Sequence, residues 1–120
     1  MNTTALGVVE QRFAELIWEN APINSGELVK LCQRELNWKK PTTYTVLRKL
    51  CEKGLFQNCN GTVTPLISQQ EYAGIRSEQF VKETFDGSLP AFLAAFTTRK
   101  PLSAEELQQL RQMIDTYEEG

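Results

Sequence analysis

Between Trp38 and Gly54 the chain carries five bases, Lys39, Lys40, Arg48, Lys49 and Lys53, against the one acid Glu52. Thr42, Thr43, Tyr44 and Thr45 stand among them, directly after Pro41. Cations neutralise phosphates, and threonine offers a hydroxyl to a base edge and a methyl to thymine. These are the groups a helix needs in the major groove of DNA, so the chemistry to expect is recognition. Bond-making chemistry has little to work with. The 120 residues include no histidine, three cysteines with no Cys-x-x-Cys pair, no glycine-rich phosphate loop and no nucleophile elbow. The usual general base and the usual nitrogen ligand for zinc are therefore missing. No catalytic residue, metal or cofactor is expected.

A formal net charge of −2 looks wrong for a nucleic-acid binder until it is divided along the chain. Through residue 70 there are 8 bases and 6 acids, and from residue 71 onward 5 bases and 9 acids. The positive charge is local, as a DNA footprint requires. A hydrophobic fraction of 41% and a charged fraction of 23% are ordinary for a globular protein, and the length suits one domain or a small domain with an appendage. Apolar runs are far short of a membrane span, and Met1-Asn2-Thr3-Thr4 lacks a basic signal region. A cytoplasmic protein without membrane insertion is expected, with Cys32, Cys51 and Cys59 reduced. Cys32 and Cys51 fall on core-facing positions and Cys59 near a turn.

The elements that must position the basic segment follow from periodicity and capping. Val9, Phe13, Leu16 and Ile17 recur at helical spacing from Val8 to about Asn20, and Ala21-Pro22 ends that helix. Asn24 with Glu27 reads as a capping box opening a second helix to about Leu36, which buries Leu28, Leu31, Cys32 and Leu36. Pro41 suits the first turn of a third helix. Its spacing puts Thr43, Val46, Leu47 and Leu50 on one face and Thr42, Thr45, Arg48, Lys49 and Glu52 on the other, with Gly54 as the stop. Leu55 to Cys59 and Thr62 to Ile67 are β-forming segments flanking Asn60-Gly61, a hairpin signal, and Pro65 points to an edge position for the second strand. Trp18 and Trp38 are expected to pack in the core. Three helices and a hairpin predict a mainly α fold with a small β-hairpin wing: a winged helix-turn-helix DNA-binding domain over residues 1–68.

Residues 69–120 read as a helical dimerisation region. Ser68 with Glu71 caps a helix to about Phe85 that carries Tyr72, Ile75, Phe80 and Phe85. Asp86-Gly87-Ser88 is a turn, a short helix follows with Leu89, Phe92, Leu93 and Phe96, and Thr97 to Leu102 reads as a basic linker. Ser103 with Glu106 opens a last helix bearing Leu107, Leu110, Met113 or Ile114, and Tyr117. Three amphipathic helices without an obvious partner inside the chain predict the seam of a homodimer.

The stretch Trp38-Lys39-Lys40-Pro41-Thr42-Thr43-Tyr44-Thr45-Val46-Leu47-Arg48-Lys49-Leu50, closing on Lys53-Gly54, resembles the recognition helix of the penicillinase repressor family (BlaI/MecI/CopY) of winged-helix transcriptional regulators. Glu10 to Trp18 is similar to that family's first helix, Phe85 to Leu89 to its aromatic-x-Gly-[ST]-Leu turn, and Leu102 to Leu107 to the opening of its last helix. The resemblance covers essentially the whole chain in order. It implies a homodimeric repressor that binds double-stranded operator DNA with dyad symmetry and controls resistance genes of antibiotic or metal type. The DNA-binding set read from this segment is Lys39, Lys40, Thr42, Thr43, Tyr44, Thr45, Arg48 and Lys49. Lys39 and Lys40 are placed for phosphates, and Arg48 or Lys49 for a guanine or a phosphate. Thr42 and Thr45 have the alternative use of helix-start hydrogen bonding, and Tyr44 either reaches a phosphate or packs on the second helix. In the hairpin turn, Asn58, Asn60 and Thr62 are polar but uncharged.

Two departures from the family pattern bear on induction. The penicillinase branch is cleaved before a phenylalanine in the tail, at an Asn-Phe bond, and the corresponding bond here is Ala95-Phe96. The resemblance implies a membrane sensor protease as a partner, with release by a ligand or another protein as the alternatives, and this departure counts against cleavage at that bond. The copper branch ends in paired Cys-x-Cys motifs, whereas this sequence ends Tyr-Glu-Glu-Gly. A competing use of the fold is a winged-helix protein interaction module without specific DNA binding, which would favour aromatic and apolar anchors on the third helix.

Overall fold

Phe13, Ala14, Leu16 and Ile17 recur about one helical turn apart, and in the computed structural model, which describes residues 6–117, all four lie buried on one face of α1 (Val8–Asn20). The helix ends at Ala21, whose backbone is extended ahead of Pro22. A two-residue strand, β1 (Ile23–Asn24), leads into α2 (Ser25–Leu36). Asn24 caps α2 by accepting the Gly26 N–H at 2.8 Å. Glu27 makes an ion pair with Lys30 at 3.9 Å, so only the Asn24 half of the expected capping box is formed.

Asn37 closes α2 in the left-handed conformation (φ 56°), and the Trp38 N–H turns back to the Cys32 carbonyl at 3.2 Å. The next helix, α3 (Lys40–Glu52), carries Pro41 in its first turn and is stopped by Gly54 at φ 83°. β2 (Phe56–Cys59) and β3 (Thr62–Pro65) then pair antiparallel across Asn60 and Gly61, both at positive φ as a type I′ turn requires. The sheet order is β1-β3-β2, which makes β3 the central strand and corrects the expectation of an edge. Pro65 is tolerated because β1 reaches only Val63 and Thr62, leaving the proline beyond its register. The missing signal was β1 itself, too short to show any alternation.

Phe13, Ile17, Leu28, Leu50, Leu55, Phe56 and Val63 form the centre of a closed core. Both tryptophans pack as expected. Trp18 lies against Phe56 and Tyr72 with ring centroids 5.1 and 5.4 Å away and donates its indole N–H to the Ile67 carbonyl at 3.0 Å, and Trp38 lies 5.2 Å from Phe13. α4 (Gln69–Phe85) opens on a reciprocal Ser68–Glu71 cap, each bond 2.9 Å.

Two compact units divide at Gln79 and Phe80, eleven residues later than the sequence-based boundary after residue 68. The cause is Tyr72. It is 4% exposed in the core of the first unit, which withdraws it from the dimer seam where its helical spacing had placed it. Arg76, one turn on, donates to Gln11 Oε1 at 3.2 Å and to the Tyr72 hydroxyl at 3.1 Å. Ile75 is half-buried.

The second unit holds the end of α4, a turn with Asp86 and Gly87 at positive φ, α5 (Leu89–Arg99) and α6 (Ala104–Thr116). α5 runs through Thr97 to Arg99, residues expected in the linker. The hydroxyls of Thr97 and Thr98 donate back to the Leu93 and Ala94 carbonyls at 2.7 Å, which lets threonine stay helical. Ser103 and Glu106 form the predicted capping box of α6. Phe80, Phe85, Phe92 and Phe96 make a chain of tilted and edge-on ring contacts 5.7 to 6.1 Å between centroids. No described residue of this unit is fully buried.

Candidate nucleic-acid interface

α3 follows α2 across a short turn, and its two faces differ sharply. Thr43, Leu47 and Leu50 are buried, while Lys40, Thr42, Thr45, Arg48 and Lys49 are exposed, with Lys39 exposed at the extended N-cap. No apolar residue larger than Pro41 is fully exposed on this helix. Lys39, Lys40 and Arg48 make no ion pair with another described residue, so their charge faces solvent uncompensated at short range.

Three members of the expected set behave differently. Thr43 is 1% exposed, which removes it from any surface contact with DNA. Its hydroxyl is buried without a hydrogen-bond partner, beside the Cys32 thiol. Burial pushes that thiol up to about 11, so Cys32 stays a protonated core residue. Burial also raises the half-exposed Cys51, and Cys59 is exposed. Tyr44 packs toward α2, with its hydroxyl donating to Ser25 Oγ at 3.2 Å, so one of its two open uses is realised. Lys49 is exposed, yet its ammonium donates to Glu10 Oε2 on α1 at 2.6 Å. That pairing joins positions 39 apart in sequence, and no local pattern reveals it.

Arg48 also shares a groove with Tyr44, Leu47, Cys51 and Asn58, which brings the polar start of the hairpin turn beside α3. Among the described residues no group of three or more acidic, cysteine or histidine side chains is arranged to hold a metal. No described helix is long and apolar enough to cross a membrane.

In the second unit, Phe80, Leu89, Phe96, Leu107 and Ile114 of the expected seam are exposed, together with Met113 and Tyr117, while Phe85, Phe92, Leu93 and Leu110 are partly covered. The Ala95-Phe96 bond lies inside α5, its residues exposed but helical. A protease that reads extended chain reaches it only after that turn unwinds.

Helix, helix-turn-helix and a strand-paired hairpin, in this order and with a hydroxyl-and-cation face on the third helix, define a winged helix. A family model described as penicillinase repressor matches residues 6–116, and the chain belongs to that family. It is similar to the penicillinase repressor of Bacillus licheniformis, 29% identical over 112 residues that cover 90% of this chain and 88% of that protein. It is also similar to the methicillin resistance regulatory proteins MecI of Staphylococcus aureus (strain Mu50 / ATCC 700699) and Mammaliicoccus sciuri, each 20% identical over 117 residues, 94% of this chain and 95% of theirs.

Proposed function

We propose that this protein is a sequence-specific transcriptional repressor that binds a palindromic operator as a homodimer and controls resistance genes. The observation that carries the reading is the exposed face of α3, where Lys40, Thr42, Thr45 and Arg48 stand outward on a rod of groove-fitting width with Lys39 at its start. Lys39, Lys40 and Arg48 take phosphates or a guanine, and Thr42 and Thr45 take base edges. The same face lacks the aromatic anchors of a protein-docking helix, which favours DNA over a protein interaction module.

Pairing follows from the second unit, whose apolar side chains find no closed core within one chain and are covered when two copies meet. Two copies deliver two recognition helices, so the half-sites lie near integral helical turns apart, about 34 Å per turn. The operon belongs to the resistance class named in the relatives, and the protein works in the cytoplasm.

The test is fluorescence anisotropy with a duplex from upstream of the protein's own gene and with a scrambled duplex, at about 0.15 M salt. The upstream duplex is expected to bind about 10³-fold tighter or more, and Lys40→Ala to make the salt slope shallower by about 0.9. Equal affinity for both duplexes would overturn the reading.

A further inference from the structure

Glu10 is anchored through both carboxylate oxygens. Oε1 accepts the Gly7 N–H at 3.2 Å and Oε2 accepts from the Lys49 ammonium at 2.6 Å. The Glu10 side chain is 21% exposed against 54% for Lys49, so the acid is the fixed partner and the lysine the one that reaches across from α3 to α1. The Lys49 hydrogen bond holds the Glu10 carboxyl below the usual carboxylate range, helped by the Gly7 amide and the Lys53 charge against the effect of partial burial. The Glu10 carboxylate is therefore ionised at neutral pH. Among the described residues no acid pairs with Lys39, Lys40 or Arg48 on the same surface.

We propose that Glu10 is an internal counterion for the recognition helix: it holds the Lys49 ammonium in the place a DNA phosphate would take and so removes one cation from the protein's sequence-independent attraction to DNA. The inference rests on the DNA-binding reading above and adds a positioning residue to it.

The physical reason is charge balance. A lysine that exchanges a carboxylate for a phosphate leaves the carboxylate uncompensated beside the polyanion, so the exchange yields no net neutralisation and no net counterion release. Lys49 then adds nothing to loose, backbone-only binding. Because a genome offers a vast excess of non-specific sites, weakening that mode raises the share of protein at its operator.

The experiment measures binding to a random-sequence duplex as a function of salt for the native chain, Glu10→Gln, Lys49→Ala and the double variant. Glu19→Gln, on the same helix with the same change in charge, and Lys40→Ala serve as references, and thermal melting checks that each variant is folded. Glu10→Gln is expected to bind several-fold tighter at low salt than both the native chain and Glu19→Gln, with a log K against log salt slope about 0.9 steeper. Lys49→Ala alone leaves the Glu10 carboxylate uncompensated and is expected to weaken binding, whereas the double variant, which removes the pair whole, is expected to keep the native slope and lose the Glu10→Gln gain. A Glu10→Gln slope equal to that of Glu19→Gln, or a double-variant slope shallower than the native one by about 0.9, overturns the inference while leaving DNA binding intact. A native chain with no salt-dependent binding to any duplex overturns both.

Discussion

The two units have similar hydrophobic endowments and opposite fates within one chain. In the first, Phe13, Ile17, Leu28, Leu50, Phe56 and Val63 are fully enclosed, and even the indole of Trp18 is satisfied by a backbone carbonyl. In the second, four phenylalanines touch one another, yet Phe80 remains 50% and Phe96 45% exposed, and Ile114 is 72% exposed. An apolar side chain gains its transfer free energy only when a second surface covers it, so the first unit has its stability in hand within one chain, and in the homodimer proposed above the second finds it in another copy.

That contrast is most easily broken in the first core. Phe13→Ala is expected to cost about 3–5 kcal/mol in chemical denaturation, because it opens a cavity under Trp38, and the loss should not depend on protein concentration. Next in size is a substitution in the second unit. Ile114→Asp should weaken self-association at least tenfold by sedimentation while leaving the melting of the first unit in place; if Ile114 were ordinary solvent-exposed surface, the change would stay within about 0.5 kcal/mol.

Two smaller substitutions sharpen the account. Ser103→Ala removes the hydroxyl that accepts the Glu106 N–H and should destabilise α6 by about 1 kcal/mol, read as lost helical circular dichroism on heating. Thr43→Val replaces a buried hydroxyl without a partner and should raise stability by about 1 kcal/mol with DNA binding unchanged. A loss of operator affinity in Thr43→Val would return that residue to the interface.

The smallest effect is a pH dependence at Glu10. The Glu10 carboxyl is lowered from 4.5 in the folded protein, so its contribution is complete above that value and fades as pH falls through the lower folded value. Acid titration of the melting temperature should show this loss in the native chain and a smaller one in Lys49→Met.

The legible parts of the fold were those with a local cause. Ser68 with Glu71, Ser103 with Glu106 and Asn60-Gly61 announce two helix starts and a hairpin through bonds spanning a few residues, and each is formed. What escaped the sequence depends on distant partners. β1 exists only because Ile23 and Asn24 find Val63 and Thr62. Tyr72 has the spacing of a seam residue but meets Trp18, and the unit boundary moves with it. In the candidate interface, the alternation of α3 correctly separates Thr42 and Thr45 from the buried side. It also put Thr43 on the buried face, although residue type had drawn it into the binding set. The hold of Glu10 on Lys49 and of Ser25 on Tyr44 could not be read from α3 alone.

In the homodimeric repressor proposed above the two units act together, one reading DNA and the other supplying it in pairs. Sedimentation velocity of the chain with a duplex carrying its upstream palindrome tests this most directly. Two chains per duplex are expected, falling to weak single-chain occupancy in Ile114→Asp. One native chain per duplex, or two chains whose binding is indifferent to both Lys40→Ala and Ile114→Asp, would contradict it.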